Sequence, residues 1–213
     1  VTLSLHGRKR SLQSIHVHIT MIKTEHFEQV EVTSVAELRA WLEANHRQEA
    51  SIWLVTYKKH TGAKYVSIAQ VLDEVLCFGW IDGIRRKLDD DRTMQLLGPR
   101  RTQHWARTYK ERVARLEREG RMHPAGLAAI AEAKRLDLWD AMDDVDDLVI
   151  PADLSEALQR LPPAAEHFAA FSTSSRRNVL RWIKLAKTPE TRARRIEQTA
   201  TLAARNEKVP QMG

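Results

Sequence analysis

The sequence predicts an α+β fold, with a small antiparallel sheet and helices in the N-terminal half and an all-helical C-terminal half. Three observations carry that reading. Two helix-start boxes, Ser34-x-x-Glu37 and Ser67-x-x-Gln70, bracket the run Ser51–Tyr57, which has apolar or aromatic groups on both alternating faces. Two further strand-like runs, Trp80–Leu88 and Arg92–Leu97, surround the turn-forming Asp89-Asp90-Asp91. From Trp105 onward, apolar residues recur at the three-and-four spacing of helices.

The elements follow in order. Ser34 and Glu37 form a capping box that opens a helix to about His46, with Val35, Leu38, Trp41 and Leu42 on one face. Ser51–Tyr57 is a central strand covered on two sides, ended by the turn His60-Thr-Gly-Ala63. Ser67 and Gln70 start a second helix with Ile68, Val71, Leu72, Val75 and Leu76 toward the core. Gly79 stops it, since glycine takes the left-handed conformation of a helix terminus without penalty. The two strand-like runs then form a hairpin about the aspartates. A helix carrying Tyr109, Val113 and Leu116 after Trp105 closes at Gly120, and Pro124 opens another with Leu127 and Ile130. Asp153-x-x-Glu156 caps a short helix bearing Leu154, Leu158 and Leu161, and Pro162-Pro163 breaks it. Phe168 and Phe171 anchor the next one. Ser174 or Ser175 begins a helix with Val179, Trp182, Ile183 and Ala186, and Thr188-Pro189 starts the last one. The expected organisation is a dispensable extension at 1–20, upstream of a start at Met21, an α+β core at 21–135, a helical region at 136–204 and a frayed tail at 205–213.

Composition bounds the function. A chain of 213 residues with 43% hydrophobic content buries about 70% of its unfolded surface, enough for a core without staples. Its single cysteine, Cys77, excludes an internal disulfide framework and multi-cysteine metal sites. No apolar run is long enough to span a bilayer, and residues 1–20 lack the charged-then-apolar order of a secretory signal. The cytoplasm is the expected compartment. Net charge is +6, but it is strongly blocked. Residues 100–135 carry ten basic and four acidic groups, 136–171 carry one and nine, and 172–213 carry ten and three. Either the blocks neutralise one another through surface pairs, or the basic ones form a face for a polyanion.

The chemistry present is sparse. There is no glycine-rich phosphate loop, no G-x-S-x-G elbow and no H-E-x-x-H helix. Cys77 sits between Leu76 and Phe78 on a core-facing helix and reads as an inert thiol. His16-x-His18 lacks a third ligand, and turn chemistry accounts for Asp89–Asp91, so neither a metal nor a cofactor is expected. Trp41, Trp53, Trp139 and Trp182 read as packing. Trp80 and Trp105 differ because polar groups flank them: Asp82 follows the first, and Gly98-Pro-Arg-Arg101 precedes the second. Trp80, Asp82, Arg100, Arg101 and Trp105 are therefore the candidate anion-binding group, since arginine forks match carboxylate and phosphate. The alternative for the same residues is an internal salt bridge from Asp82 to Arg100 or Arg101. On that account Arg100→Ala destabilises by roughly 1–3 kcal/mol.

Taken in order, Cys77-Phe-Gly-Trp-Ile-Asp-Gly83, Pro99-Arg-Arg101, Trp105, Arg112-Val113, Leu116, Gly120-Arg-Met122 and Gly126 resemble the bacterial YdeI/OmpD-associated (OmdA-like, bacteriocin-protection) family. The resemblance runs from about Phe27 to Ala204. It takes in Tyr57-Lys-Lys59 with Gly62 and, later, Ala186-Lys187, Glu190-Thr-Arg192 and Arg195-Ile196. Family members often have Ser and Asn where this chain has Ala106 and Tyr109, so those two donors are missing here. The resemblance implies a soluble bacterial α+β protein, linked by the family's name to bacteriocin protection and an outer-membrane porin. It brings no reaction and no catalytic residue to these positions.

Three functions compete. The first is a non-enzymatic binding protein of envelope or antimicrobial-peptide stress, whose partner is a protein or a small anionic ligand. The second is nucleic-acid binding through Arg107, Lys110, Arg112, Arg115, Arg181, Lys184, Lys187, Arg192 and Arg195, with the steep salt dependence of phosphate contacts. The third is an enzyme or binder acting on a small anion at Asp82, Arg100 and Arg101. Membrane insertion is not expected.

Overall fold

A computed structural model describes residues 26–209. The expected extension at 1–20, with His16 and His18, lies outside the described residues, as do residues 210–213 of the expected tail. The first half alternates strands and helices: β1 (Gln29–Glu31), α1 (Val35–Asn45), β2 (Ile52–Tyr57), a short 3-10 segment (Lys59–Lys64), α2 (Ile68–Cys77), β3 (Trp80–Lys87) and β4 (Arg92–Pro99). Helices follow: α3 (Arg107–Arg118), α4 (Pro124–Arg135), α5 (Asp143–Asp146), α6 (Ala152–Gln159), α7 (Ala164–Ala170), α8 (Thr173–Lys184) and α9 (Pro189–Ala204). The class is α+β. No described helix is long and apolar enough to cross a membrane.

The sheet order is β1-β2-β4-β3. The expected antiparallel part is β2-β4-β3, and β1 adds a parallel edge strand with Val30 opposite Leu54, so the sheet is mixed. Three residues are too few to show alternation in sequence. They become a strand because Val30 is buried while Gln29 and Glu31 flank it in the open.

Most helix starts stand where expected. Ser67 and Gln70 bond each other's backbone reciprocally, and Gly79 closes α2 with φ of +73°. At α1 the box is displaced by one residue: Ser34 Oγ accepts from the Glu37 N–H, but the Glu37 carboxylate accepts from Thr33 N–H at 2.7 Å. Two starts differ from expectation. The residue before α6 is Pro151, and Asp153, inside the helix, pairs with Arg192 of α9. Ser172, not Ser174 or Ser175, caps α8, with its hydroxyl accepting from Ser175 N–H. Local spacing offered several serines, and the exit of the chain from α7 selected among them.

Two apolar clusters form among the described residues. One gathers β1, β2, α1, α2, Trp80, Leu97, Trp105, Val113, Leu116 and Ile130, with Leu138 and Trp139 packed against it. The other gathers α5 to α9, with Leu148 and Val209 at its margin. Ile68 and Leu127 were expected in the core but are exposed. Helical spacing identifies a stripe without showing where the opposing surface ends.

A buried ionic network joins α1, α2 and α3. Glu74 is 2% exposed and accepts from Arg39 at 3.0 Å and Arg121 at 2.6 Å. Its neighbour Asp73 accepts from Arg112 at 2.5 Å and Arg115 at 2.7 Å. Burial pushes Asp73 up, but the hydrogen bonds from Arg115 and Arg112 outweigh it and hold the carboxyl below its ordinary range.

Candidate functional site

The segment ending α2 and the segment ending β4 meet. Trp80 stands opposite Pro99 in the ladder, and the Arg100 N–H donates to the Gly79 carbonyl at 3.0 Å. Register shifts between Asp82 and Arg85, where β3 carries one residue more than β4. Such a bulge re-aims the side chains beside it. Asp82 stands opposite Leu97, so it shares the face of buried Leu97 and Gln95. A carboxylate on a covered face needs partners. Tyr109 of α3 donates its hydroxyl to Asp82 Oδ1 at 2.6 Å, and Gln95 Nε2 donates to Oδ2 at 3.2 Å. Burial, with the hydrogen bond to Asp82 next, pushes the Tyr109 phenol up to about 12.

Arg100 lies beside this pair without bonding to it, so the expected salt bridge to Asp82 is absent. Its guanidinium stacks 3.9 Å from the Trp105 ring centroid and 5.3 Å from that of Tyr109. Nη1 donates to the backbone carbonyls of Gln103 and His104 at the long distances of 3.4 and 3.3 Å. Nε and Nη2, the side-on edge that takes a carboxylate or phosphate bidentately, are buried and have no partner among the described residues. Burial lowers the Arg100 pKa to about 10, against the pull of Tyr109 and Asp82. His104 is also held below its ordinary value, by burial first and then by Arg181, Arg100 and Lys184. Positive charge is therefore concentrated where the loop between β4 and α3 meets α8.

Of the five residues expected in the anion site, Asp82, Arg100 and Trp105 come together. Arg101 turns away, 61% exposed, toward the Glu49 backbone carbonyl at 3.2 Å. Trp80 is fully buried, with its indole N–H donating to the His46 carbonyl at 3.1 Å and its ring edge-on to Trp41. Trp80 and Trp105, set apart in sequence by their polar neighbours, are the most deeply buried tryptophans, while Trp41, Trp139 and Trp182 are partly exposed. For Trp80 the polar neighbour Asp82 takes its own partners in Tyr109 and Gln95, and for Trp105 the arginines Arg100 and Arg101 lie in the loop after β4, so in neither case do they report on the burial of the ring. Sequence reasoning missed Tyr109 and Gln95 as Asp82's partners. The usable signal was Tyr109 itself, because a phenol on a core-facing stripe needs a hydrogen-bond partner.

The polyanion candidates are mostly paired internally. Arg107 bonds Asp147, Lys110 bonds Asp140 and Asp143, Lys184 bonds Asp144, and Arg192 bonds Asp153. Arg112 and Arg115 hold Asp73. Arg195 bonds the Trp182 carbonyl and stacks on that indole. Arg181 and Lys187 form no ion pair among the described residues. The acidic block thus answers the basic ones within the fold. Cys77 is fully buried, and desolvation raises its thiol to about 11. The hairpin aspartates do turn chemistry, with Asp89 accepting from the Asp91 and Arg92 N–H groups. Among the described residues no cluster of three His, Cys, Asp or Glu side chains has the arrangement to hold a metal.

The helical segment that supplies Arg181 and Lys184 carries the family signal. Residues 147–206 match the family described as Bacteriocin-protection, YdeI or OmpD-Associated. Residues 30–129, which include Asp82, Arg100, Trp105 and Tyr109, match a domain of unknown function (DUF8412). The resemblance expected from Phe27 to Ala204 is thus supported over the C-terminal helices, whereas the motifs from Cys77 to Gly126 fall in the other match. No curated protein and no solved structure matches the chain.

Proposed function

We propose that the protein is a binding protein for a small carboxylate- or phosphate-bearing ligand, engaged by Arg100. The carrying observation is the unpartnered Nε–Nη2 edge of that guanidinium. Arg101 and Thr102 are exposed, and the segment from Arg101 to Ala106 has no helix or strand, so the cover over Arg100 is a loop through which an anion enters. Trp105 supports the planar cation from one side, and the Tyr109–Asp82 pair fixes the wall of the site. His104 adds a group whose protonation becomes more favourable when an anion arrives. The family description of the C-terminal match names bacteriocin protection, a setting in which this binding would serve a non-catalytic partner role.

A thermal-shift series with inorganic phosphate, pyrophosphate and mono- and dicarboxylates, on the native chain and Arg100→Met, tests the reading. A ligand at about 100 Kd adds about 2.7 kcal/mol, a rise of roughly 5–10 °C for a chain of this size. The expected result is such a rise in the native chain and its loss in the variant. Equal behaviour of the two proteins across the series overturns the proposal.

A further inference from the structure

A second cleft lies in the C-terminal helices, and Arg100 is not among its lining residues. A half-open cleft of about 370 Å³ is bounded by the end of α7, by α8, by α9 and by the residues after α9. That volume is in the range of small-molecule pockets. Its walls include Phe171, Trp182, Leu185 and Val209, and Leu185, just past the end of α8, is 45% exposed. The charged groups on the lining are Arg181, Arg195 and Lys208, and no carboxylate stands among the described lining residues. Elsewhere on these helices Arg177, Lys184 and Arg192 are matched by Asp146, Asp144 and Asp153. Among the described residues Arg181 forms no ion pair, and Arg181 Nε and Trp182 Nε1 are both buried donors without acceptors. Arg195 is held against the Trp182 ring, 5.0 Å from its centroid, so its charge is fixed at the wall.

Apolar walls, unmatched cations and orphaned N–H donors call for one kind of occupant: an apolar body ending in an acceptor-only anionic head. We propose that this cleft binds an amphipathic carboxylate, such as a medium-chain fatty acid, with the chain along Phe171, Trp182 and Leu185 and the head at Arg181. A neutral or cationic amphiphile would leave the donors unsatisfied and the cations unopposed.

Isothermal titration of the full chain with decanoate below its micellar concentration tests this, with decyltrimethylammonium as the opposite-charge control. The expected result is saturable decanoate binding at least tenfold tighter than that of the cation. Leu185→Glu, at an exposed position, and Arg181→Gln should each weaken decanoate binding at least tenfold, while Arg135→Gln, in an exposed surface pair on α4, leaves it unchanged. Absence of saturable binding, equal binding of the two amphiphiles, or full retention in both cleft variants overturns the inference. Loss in Arg100→Met with retention in Leu185→Glu would assign the carboxylate to the other site and likewise sink this one. Failure of the phosphate series at Arg100 leaves this result untouched, so the two readings fall separately.

Discussion

Replacing Arg100 by methionine distinguishes a guanidinium that holds the fold together from one held ready for a ligand. Burial lowers its pKa to about 10, which against the free value disfavours the folded charged form by about 3 kcal/mol. Two terms oppose that penalty. The stack on Trp105 at 3.9 Å contributes about 2 kcal/mol in a desolvated setting. The bonds to the Gln103 and His104 carbonyls, at 3.4 and 3.3 Å, fall short of the usual charged hydrogen bond and add about 1 kcal/mol together. Penalty and gains nearly cancel, and methionine keeps the apolar volume over the indole. Arg100→Met should therefore change unfolding free energy by less than about 1 kcal/mol, a midpoint shift within about 4 °C, read by thermal and urea denaturation. Had the expected Asp82 salt bridge formed, removing one partner would have left the other unsatisfied at a cost of roughly 1–3 kcal/mol. A loss above about 2 kcal/mol would refute the reasoning and make Arg100 a structural residue. A double-mutant cycle with Asp82→Asn should show coupling of about 0.5–1 kcal/mol, at the low end for groups in one network, because the two share Tyr109 without a direct bond.

Glu74→Ala should destabilise by roughly 1–3 kcal/mol in urea denaturation, because it removes the buried acceptor shared by Arg39 and Arg121; the figure sits below that of a fully buried pair because both arginines are about a third exposed and keep Glu43 and Glu119 as partners. Gly126→Ala should do comparable damage, since its new Cβ would stand 2.2 Å from the Cys77 carbonyl oxygen where α4 crosses the end of α2; a midpoint within 2 °C of the native chain, under about 1 kcal/mol, would contradict that close approach. His104 has a lowered folded pKa from burial and neighbouring cations, so the fold favours its neutral form. Stability is therefore full above the free histidine value of about 6.5 and declines as pH falls through the lowered folded value. His104→Gln should flatten that decline, and an unchanged pH profile would show that the ring does not titrate in the fold. The Cys77 thiol, raised to about 11 and fully buried, should react with a disulfide reagent at pH 8 only on unfolding, and fast labelling of the native chain would rule out its inert role.

Most of the secondary structure was legible because its causes are local. The reciprocal bonds of Ser67 and Gln70, the left-handed Gly79 and the hairpin about Asp89–Asp91 depend on residues within a few positions of one another, and they appear where the sequence placed them. The meeting of Gly79 with Arg100 was legible too, because adjacent strands joined by a short turn must run back alongside each other. Illegible features were those set by distance in sequence. Neither three-residue β1 nor the choice of Ser172 over Ser174 has a local signature.

The amino-acid order alone settled the α+β class, the positions of most helix ends and strands, and the blocked charge that had to be answered somewhere. Folding settled which charge answers which: Arg112 and Arg115 go to Asp73, Lys110 and Arg107 go to the acidic segment, and Asp82 takes Tyr109 and Gln95 in place of Arg100. The physical reason is range. Caps and turns are decided by dihedral angles and hydrogen bonds within one or two turns of chain, whereas an arginine's partner is decided by which acceptors the packed backbone brings within about 3 Å. The guanidiniums left with unpartnered buried donors among the described residues, Arg100 and Arg181 with Arg176 and Arg177, could be recognised only once every competitor for the nearby carboxylates had its place.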